Sequence, residues 1–317
     1  MTTITCLGGG HGLFATLCAA RTIAEDITAV VTVADDGGSS GRIRRELGQI
    51  PPGDLRMALA ALSPRDARGR LWETTLQHRF GGTGALAGHA VGNLMIAGLT
   101  SVLGDEVAAL DEVARLLGIR GRVLPMCPRP LEIEAEVVGL EEDARVVRPV
   151  RGQVAVASTP GQVRRIRLIP EQPPATPEAV AAIRGADMVT LGPGSWFTSV
   201  LPHLQVPELV AALDGTEALR VVVLNLVSEP GETAGFSAER HIHMIAQHAP
   251  GLGVDRILVD EDTVRGASER SYLERAAAGV GAEVVYAAVA ELDADGRATG
   301  RHDPRRLAAA LAGLGRR

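Results

Sequence analysis

The 317-residue chain contains no lysine; all 32 of its basic residues are arginine. That absence excludes chemistry built on a Schiff-base lysine or on the lysine of a P-loop. Any anion bound here must be held by arginine, by backbone N–H groups or through a metal ion. Cysteine is nearly as scarce: Cys6, Cys18 and Cys127 stand far apart, with no C-x-x-C pair. Cys6 falls in a strand pattern and Cys18 in a helix pattern, so buried thiols are expected rather than a redox or zinc centre. No uncharged run is long enough to span a membrane, and a strand pattern that starts at Thr3 leaves no room for a signal peptide. The expectation is a cytoplasmic protein. Positive charge is not in excess either, since the formal net charge is −6, which argues against a nucleic-acid partner. Ser-His-Asp order, a G-x-S-x-G elbow, H-E-x-x-H and Cys₂His₂ spacings are all missing, so no residue is assigned a catalytic role.

What is present is apolar and rhythmic. Hydrophobic residues make up 46% of the chain, ample for a large core. The opening stretch TITCLGGGHGLFATLCAARTI reads as strand, glycine loop and helix, and an apolar strand over Ala29 to Ala34 follows. Strand, helix, strand in this compass is a βαβ unit. The pattern returns in ADMVTLGPGSW, ALRVVVLNLVSEPGE, VDRILVDED and AEVVYAAV, whose near-continuous Val, Leu and Ile runs suit strands covered on both faces. From Gly121 to Pro170 the residues instead alternate apolar and charged, with no convincing helix. We read one α/β domain over residues 1–317, a Rossmann-like, doubly wound and mostly parallel sheet, with a β-rich insertion at about 121–170.

In an open parallel sheet, ligands sit beyond the carboxyl ends of the strands. There the sequence places GGGHGL: Gly8, Gly9, Gly10, His11, Gly12 and Leu13. The glycines admit a close backbone approach and the following helix start offers free N–H groups to an anion, although the spacing is not that of G-x-G-x-x-G. Asp35 and Asp36 end the second strand and lead into Gly37, Gly38 and Ser39. One carboxylate can bind a ribose hydroxyl and the other Mg²⁺ against a diphosphate; alternatively Asp36 is a turn residue or a helix N-cap. Asp54 reads as an N-cap by default, while Arg56 in a first helical turn is ill suited to the dipole and points to an anion or a partner carboxylate. His89 and Asn93, four apart, would share one helix face, either as a buried polar pair or facing ligand. Gly192, Pro193 and Gly194 make a turn before Ser195 and Thr198 at a helix start. Asn225 ends another strand, and Arg301 precedes the last helix.

The blocks GGGHGL, VVTVADDGGSSGRIR, PPGDLRMALAAL, LAGHAVGNLMIAGL, GPGSWFTSVLP and NLVSEPGETAGFS, in one order along essentially the whole chain, resemble the gluconeogenesis factor (YvcK) family of bacteria. That family belongs to a wider group with the 2-phospho-L-lactate transferases of deazaflavin cofactor synthesis. The resemblance implies a regulatory protein without turnover that binds UDP-N-acetylglucosamine and links central carbon metabolism to peptidoglycan synthesis and cell shape. It also implies a homodimer and a downstream protein partner whose identity the sequence does not give. Carried over by motif, Gly8 to Gly12 with Asp35 and Asp36 would hold the nucleotide, with Mg²⁺ on the two aspartates. Gly192 to Ser195 would contribute from the facing strand, and Arg301 would meet the diphosphate or the sugar. Two departures stand out: His11 replaces the more usual Thr, and Trp196 stands where Tyr is frequent. With its all-arginine composition, the chain is similar to the high-GC actinobacterial branch. The rival reading is a Mg²⁺-dependent 2-phospho-L-lactate transferase, from which the DDGGSSGR and PPGDLR blocks separate it.

Overall fold

The computed structural model describes residues 2–143, 145–229 and 231–315. Its central sheet is built from β1 (Thr3–Gly8), β2 (Asp26–Val31), β3 (Arg122–Pro125), β7 (Met188–Leu191), β8 (Leu219–Val223), β9 (Arg256–Asp260) and β10 (Glu283–Ala287). These seven strands run parallel in the order β10-β9-β8-β7-β1-β2-β3. The valine runs explain the arrangement. Val30, Val31 and Val221 to Val223 are fully buried, as residues of a strand covered by helices on both faces must be. The helix α1 (Gly10–Ala20) returns the chain from β1 to β2 and packs on α3 (Gly53–Leu62). The doubly wound α/β fold expected from the sequence is the fold observed. Cys6, Cys18 and Cys127 are buried free thiols.

The stretch expected to be an antiparallel insertion divides in two. Its first residues, β3, join the main sheet parallel to β2, because Val123 and Leu124 are buried together where alternation would have exposed one of them. The antiparallel sheet consists of β4 (Glu132–Val138), β5 (Val147–Arg151) and β6 (Gln162–Ile169), in the order β5-β4-β6. There the alternation holds: Ile133, Ala135 and Val137 are buried, while Glu132 and Glu134 pair with Arg151 and Arg167 on neighbouring strands. Between β5 and β6 lies a helix the alternation concealed, α7 (Gln153–Ala157). Val154 and Val156 are spaced like strand residues, and five residues are too few to show a helical period.

The order of the main sheet reverses beside β1. From β1 the chain steps outward to β2 and β3, whereas from β7 it steps the other way to β8, β9 and β10. The carboxyl ends of β1 and β7, paired from Ile4 and Met188 to Leu7 and Leu191, therefore flank a topological switch point, where a crevice opens. Among the described residues, no helix is long and apolar enough to cross a membrane.

Candidate functional site: a glycine crevice at the switch point

Two glycine loops meet at this point. A Cβ on Gly12 would overlap the Pro193 carbonyl oxygen, and one on Gly194 would sit 3.5 Å from the Gly9 carbonyl oxygen. The close approach explains why both loops are written in glycine. Asn225, just beyond β8, secures the second loop: Gly194 N–H donates to its Oδ1 at 2.9 Å, and its Nδ2 donates to the Gly194 carbonyl at 2.9 Å. His11, Gly12, Gly194, Asn225, Glu229 and Arg301 line a cleft of about 350 Å³ over this junction. Arg301 reaches it from β12 (Ala298–His302), which pairs antiparallel with β11 (Ala290–Leu292). Gly9 caps α1 without a side-chain hydrogen bond; the Gly10 N–H meets Asp54, and the rest of this helix start is of the kind that suits an anion. Leu13, by contrast, is buried in the core and contributes packing.

The remaining expected residues gather on the other side of the glycine loop. A Cβ on Gly9 would meet the carboxylate of Asp54, and one on Gly53 would lie 3.0 Å from Asp35 Oδ2. Asp35 Oδ1 accepts from Gly37 N at 2.9 Å. Burial and the charge of Asp35 push the Asp54 carboxyl up to about 7, against the pull of the Gly10 N–H and Arg56. Arg56 is itself lowered to about 10 by burial and by Arg79. It donates to Gln77, and its Nε has no partner. Beside them Ser39 shares a 2.9 Å hydrogen bond with His89 Nδ1 and accepts from Asn93 Nδ2 at 2.9 Å. All three are buried. Burial and the nearby Arg42 lower the His89 pKa.

Three residues are placed differently from the sequence reading. Asp36 faces away from Asp35: its Oδ1 accepts from Val154 N of α7 at 3.0 Å, and a Cβ on Gly152 would overlap its Oδ2. It ties the antiparallel sheet to the acidic loop. It is not a helix N-cap, since Gly37 holds that position before α2 (Gly38–Leu47), where Gly38 is exposed. Asp54 is likewise inside the first turn of α3, whose N-cap is Pro52. His89 precedes its helix rather than lying on it, because α5 (Val91–Leu103) starts after Ala90; the imidazole and the Asn93 amide meet through Ser39.

Ser195 caps a short turn, Trp196–Val200, and Thr198 points inward. Its hydroxyl donates to Glu232 Oε1 at 2.6 Å, and Phe197 N donates to Oε2 at 3.0 Å. Burial pushes the Glu232 carboxyl up to about 7, with Glu229 adding repulsion. Glu229, which lies against Ser195 and Trp196, and Glu291 line the cleft without having been expected. Glu229 could have been suspected from its place in NLVSEPGE, four residues past Asn225; Glu291 sits on a hairpin that carries no motif.

Fold and crevice together define a doubly wound α/β protein with an anion-compatible site at its switch point. Residues 4–299 match the family model described as 2-phospho-L-lactate transferase CofD. The chain is 63% identical over 311 residues to a putative gluconeogenesis factor of Mycobacterium tuberculosis, covering 98% of this chain and 90% of that protein. It is 40% identical over 269 residues to the gluconeogenesis factor of Bacillus subtilis, covering 85% and 82%. A crystal structure of a UPF0052 family member from Bacillus halodurans superposes with a TM-score of 0.85, at 35% identity over 98% of this chain and 99% of that one. The chain belongs to the CofD-like family, among the proteins named gluconeogenesis factor.

Proposed function

We propose that this protein binds a nucleotide-sugar, UDP-N-acetylglucosamine, in the switch-point crevice, and acts as a regulator linking central carbon metabolism to peptidoglycan synthesis and cell shape. The observation that carries the reading is the junction of the two glycine loops, held by Asn225. It leaves first-turn N–H groups of α1, with His11 and Arg301, around a cleft large enough for a diphosphate and part of a sugar. Relatives named gluconeogenesis factor support the metabolic half.

Mg²⁺ fits this reading through a different pair of aspartates from the adjacent one. Asp36 is engaged by Val154, whereas Asp35 and Asp54 lie together beside the glycine loop, where the Thr32 methyl also packs. Among the described residues, no cluster of three or more His, Cys, Asp or Glu forms a complete metal cage, so the diphosphate would supply further oxygens. The ion would offset diphosphate charge. In this reading the protein works in the cytoplasm as a homodimer and signals to a protein partner.

Titration calorimetry with UDP-N-acetylglucosamine, GDP and NAD, each with and without Mg²⁺, tests the reading. Selective UDP-sugar binding is expected; GDP binding with no response to the UDP-sugar would overturn it. A transferase is the second reading, favoured by the CofD match and by a carboxyl near 7 beside a second carboxylate at Asp54 and Asp35. Transfer of a phospholactyl group from a nucleoside diphosphate donor to a flavin-like acceptor by the purified protein would establish it.

A further inference from the structure

A second recess of about 800 Å³ lies at the opposite, amino-terminal end of the sheet. Three separate connections each deliver an arginine to it: Arg21 from the end of α1, Arg65 from the turn before α4 (Ala67–Gln77), and Arg120 from the turn before β3. None of the three takes part in an ion pair found among the described residues. Arg21 Nη1 donates to the Ala61 carbonyl at 2.8 Å, and Arg65 Nη2 donates to Cys18 Sγ at 3.3 Å. Each guanidinium has five N–H donors, so most of this capacity remains available. Arg21 and Arg65 repel one another: burial, and then the Arg65 charge, lowers the Arg21 pKa. Two like charges held together, with a third at the rim, form a favourable place for a dianion, and guanidinium matches phosphate oxygens in paired hydrogen bonds.

The rest of the lining narrows the ligand. Ile27 and Leu62 supply an apolar floor, while Glu25 and Asp66 bring carboxylates that accept from hydroxyl groups. Asp66 Oδ1 is already used by Gly69 N, which leaves its second oxygen. We infer that this recess binds a sugar phosphate, with the phosphate on Arg21, Arg65 and Arg120 and the hydroxyls on Glu25 and Asp66. The site is separate from the crevice but joined to it by α1, whose first turn carries the glycine loop and whose last residues lead to Arg21. It does not depend on what the crevice binds.

The test is titration of the full chain with glucose 6-phosphate, glucose and inorganic phosphate, with and without saturating UDP-N-acetylglucosamine. Arg65→Gln and Arg120→Gln, both at exposed positions, are compared with the unaltered protein after thermal melts show that they fold. Glucose 6-phosphate is expected to bind whether or not the UDP-sugar is present, and to lose about tenfold or more in affinity in each variant, in line with loss of a charge-assisted contact. Absence of binding at millimolar concentration overturns the assignment, as does an affinity in both variants equal to that of the unaltered protein. Displacement by UDP-N-acetylglucosamine, with the variants unaffected, places the probe in the crevice and overturns it too. Inorganic phosphate binding as tightly as glucose 6-phosphate would reduce the recess to a simple anion site and rule out the sugar-phosphate assignment.

Discussion

Asn225 satisfies both backbone polar groups of Gly194, at 2.9 Å each, and so fixes one glycine loop against the other from a third strand. The amide carries its acceptor and its donors on two separate atoms, and this pair of bonds uses one of each. Asn225→Asp keeps the acceptor but turns a carboxylate oxygen toward the Gly194 carbonyl. The variant is expected to lose about 2 kcal/mol of stability, one hydrogen bond plus a repulsive contact, and to weaken nucleotide-sugar binding. Asn225→Ala should cost about as much without the repulsion. Denaturant melts paired with calorimetry check both; unchanged affinity would mean the loop does not need this lock.

The glycines of the first loop are not equivalent. Gly12 packs on the Pro193 carbonyl, whereas Gly10 has a φ of +58° with open space around it. Gly12→Ala therefore forces backbone apart, at an expected cost of about 3 kcal/mol and with loss of binding. Gly10→Ala meets only left-handed strain, about 1 kcal/mol. Thermal melts of the two variants, side by side, separate close packing from conformational freedom.

The two acidic neighbours are expected to separate as well. Asp36→Ala removes the carboxylate that receives Val154 N, loosening the antiparallel sheet by about 1–2 kcal/mol and raising protease sensitivity near α7. Its effect on ligand affinity should stay small. Asp54→Asn removes a charge beside Asp35 and should abolish any Mg²⁺ enhancement of UDP-sugar binding. If Asp36→Ala instead abolished the Mg²⁺ effect and Asp54→Asn did not, the metal would belong to the adjacent aspartates after all.

These contrasts show where the sequence was legible. Valine runs and strand-end glycines depend on local rules, so the parallel sheet and the GGGHGL and GPG turns could be read directly. The partner of Asp36 is 118 residues away, and no local pattern specifies which of two neighbouring carboxylates turns toward it. The same limit hid the side-by-side placement of Asp35 and Asp54, which is set by the docking of α3 rather than by spacing. The meeting of His89 and Asn93 was foreseen, but by the wrong route: both reach Ser39, with His89 outside the helix. In the insertion, β3 went astray because four residues are too few to reveal which sheet they join.

Glu232 makes the last prediction a matter of pH. Its carboxyl, ordinarily near 4.5, is raised to about 7 in the folded chain. Between those values the folded state holds a proton that the unfolded state has released, so the contribution to stability is full below about 4.5 and is lost as pH rises to 7. A shift of this size corresponds to about 3 kcal/mol. Asp54, raised to about 7 from 3.8, acts in the same direction. Glu232→Gln retains acceptor and donor capacity for Phe197 and Thr198 but carries no titrating proton. Its melting temperature relative to the unaltered protein should therefore climb between pH 5 and pH 7.5, and the difference should level off above. Subtracting the two curves removes the carboxylates that do not interact with Glu232 and leaves Glu232 with its neighbour Glu229. A difference that stays flat across that window would mean Glu232 is ionised in the folded protein and held by the Phe197 N–H and the Thr198 hydroxyl as a carboxylate.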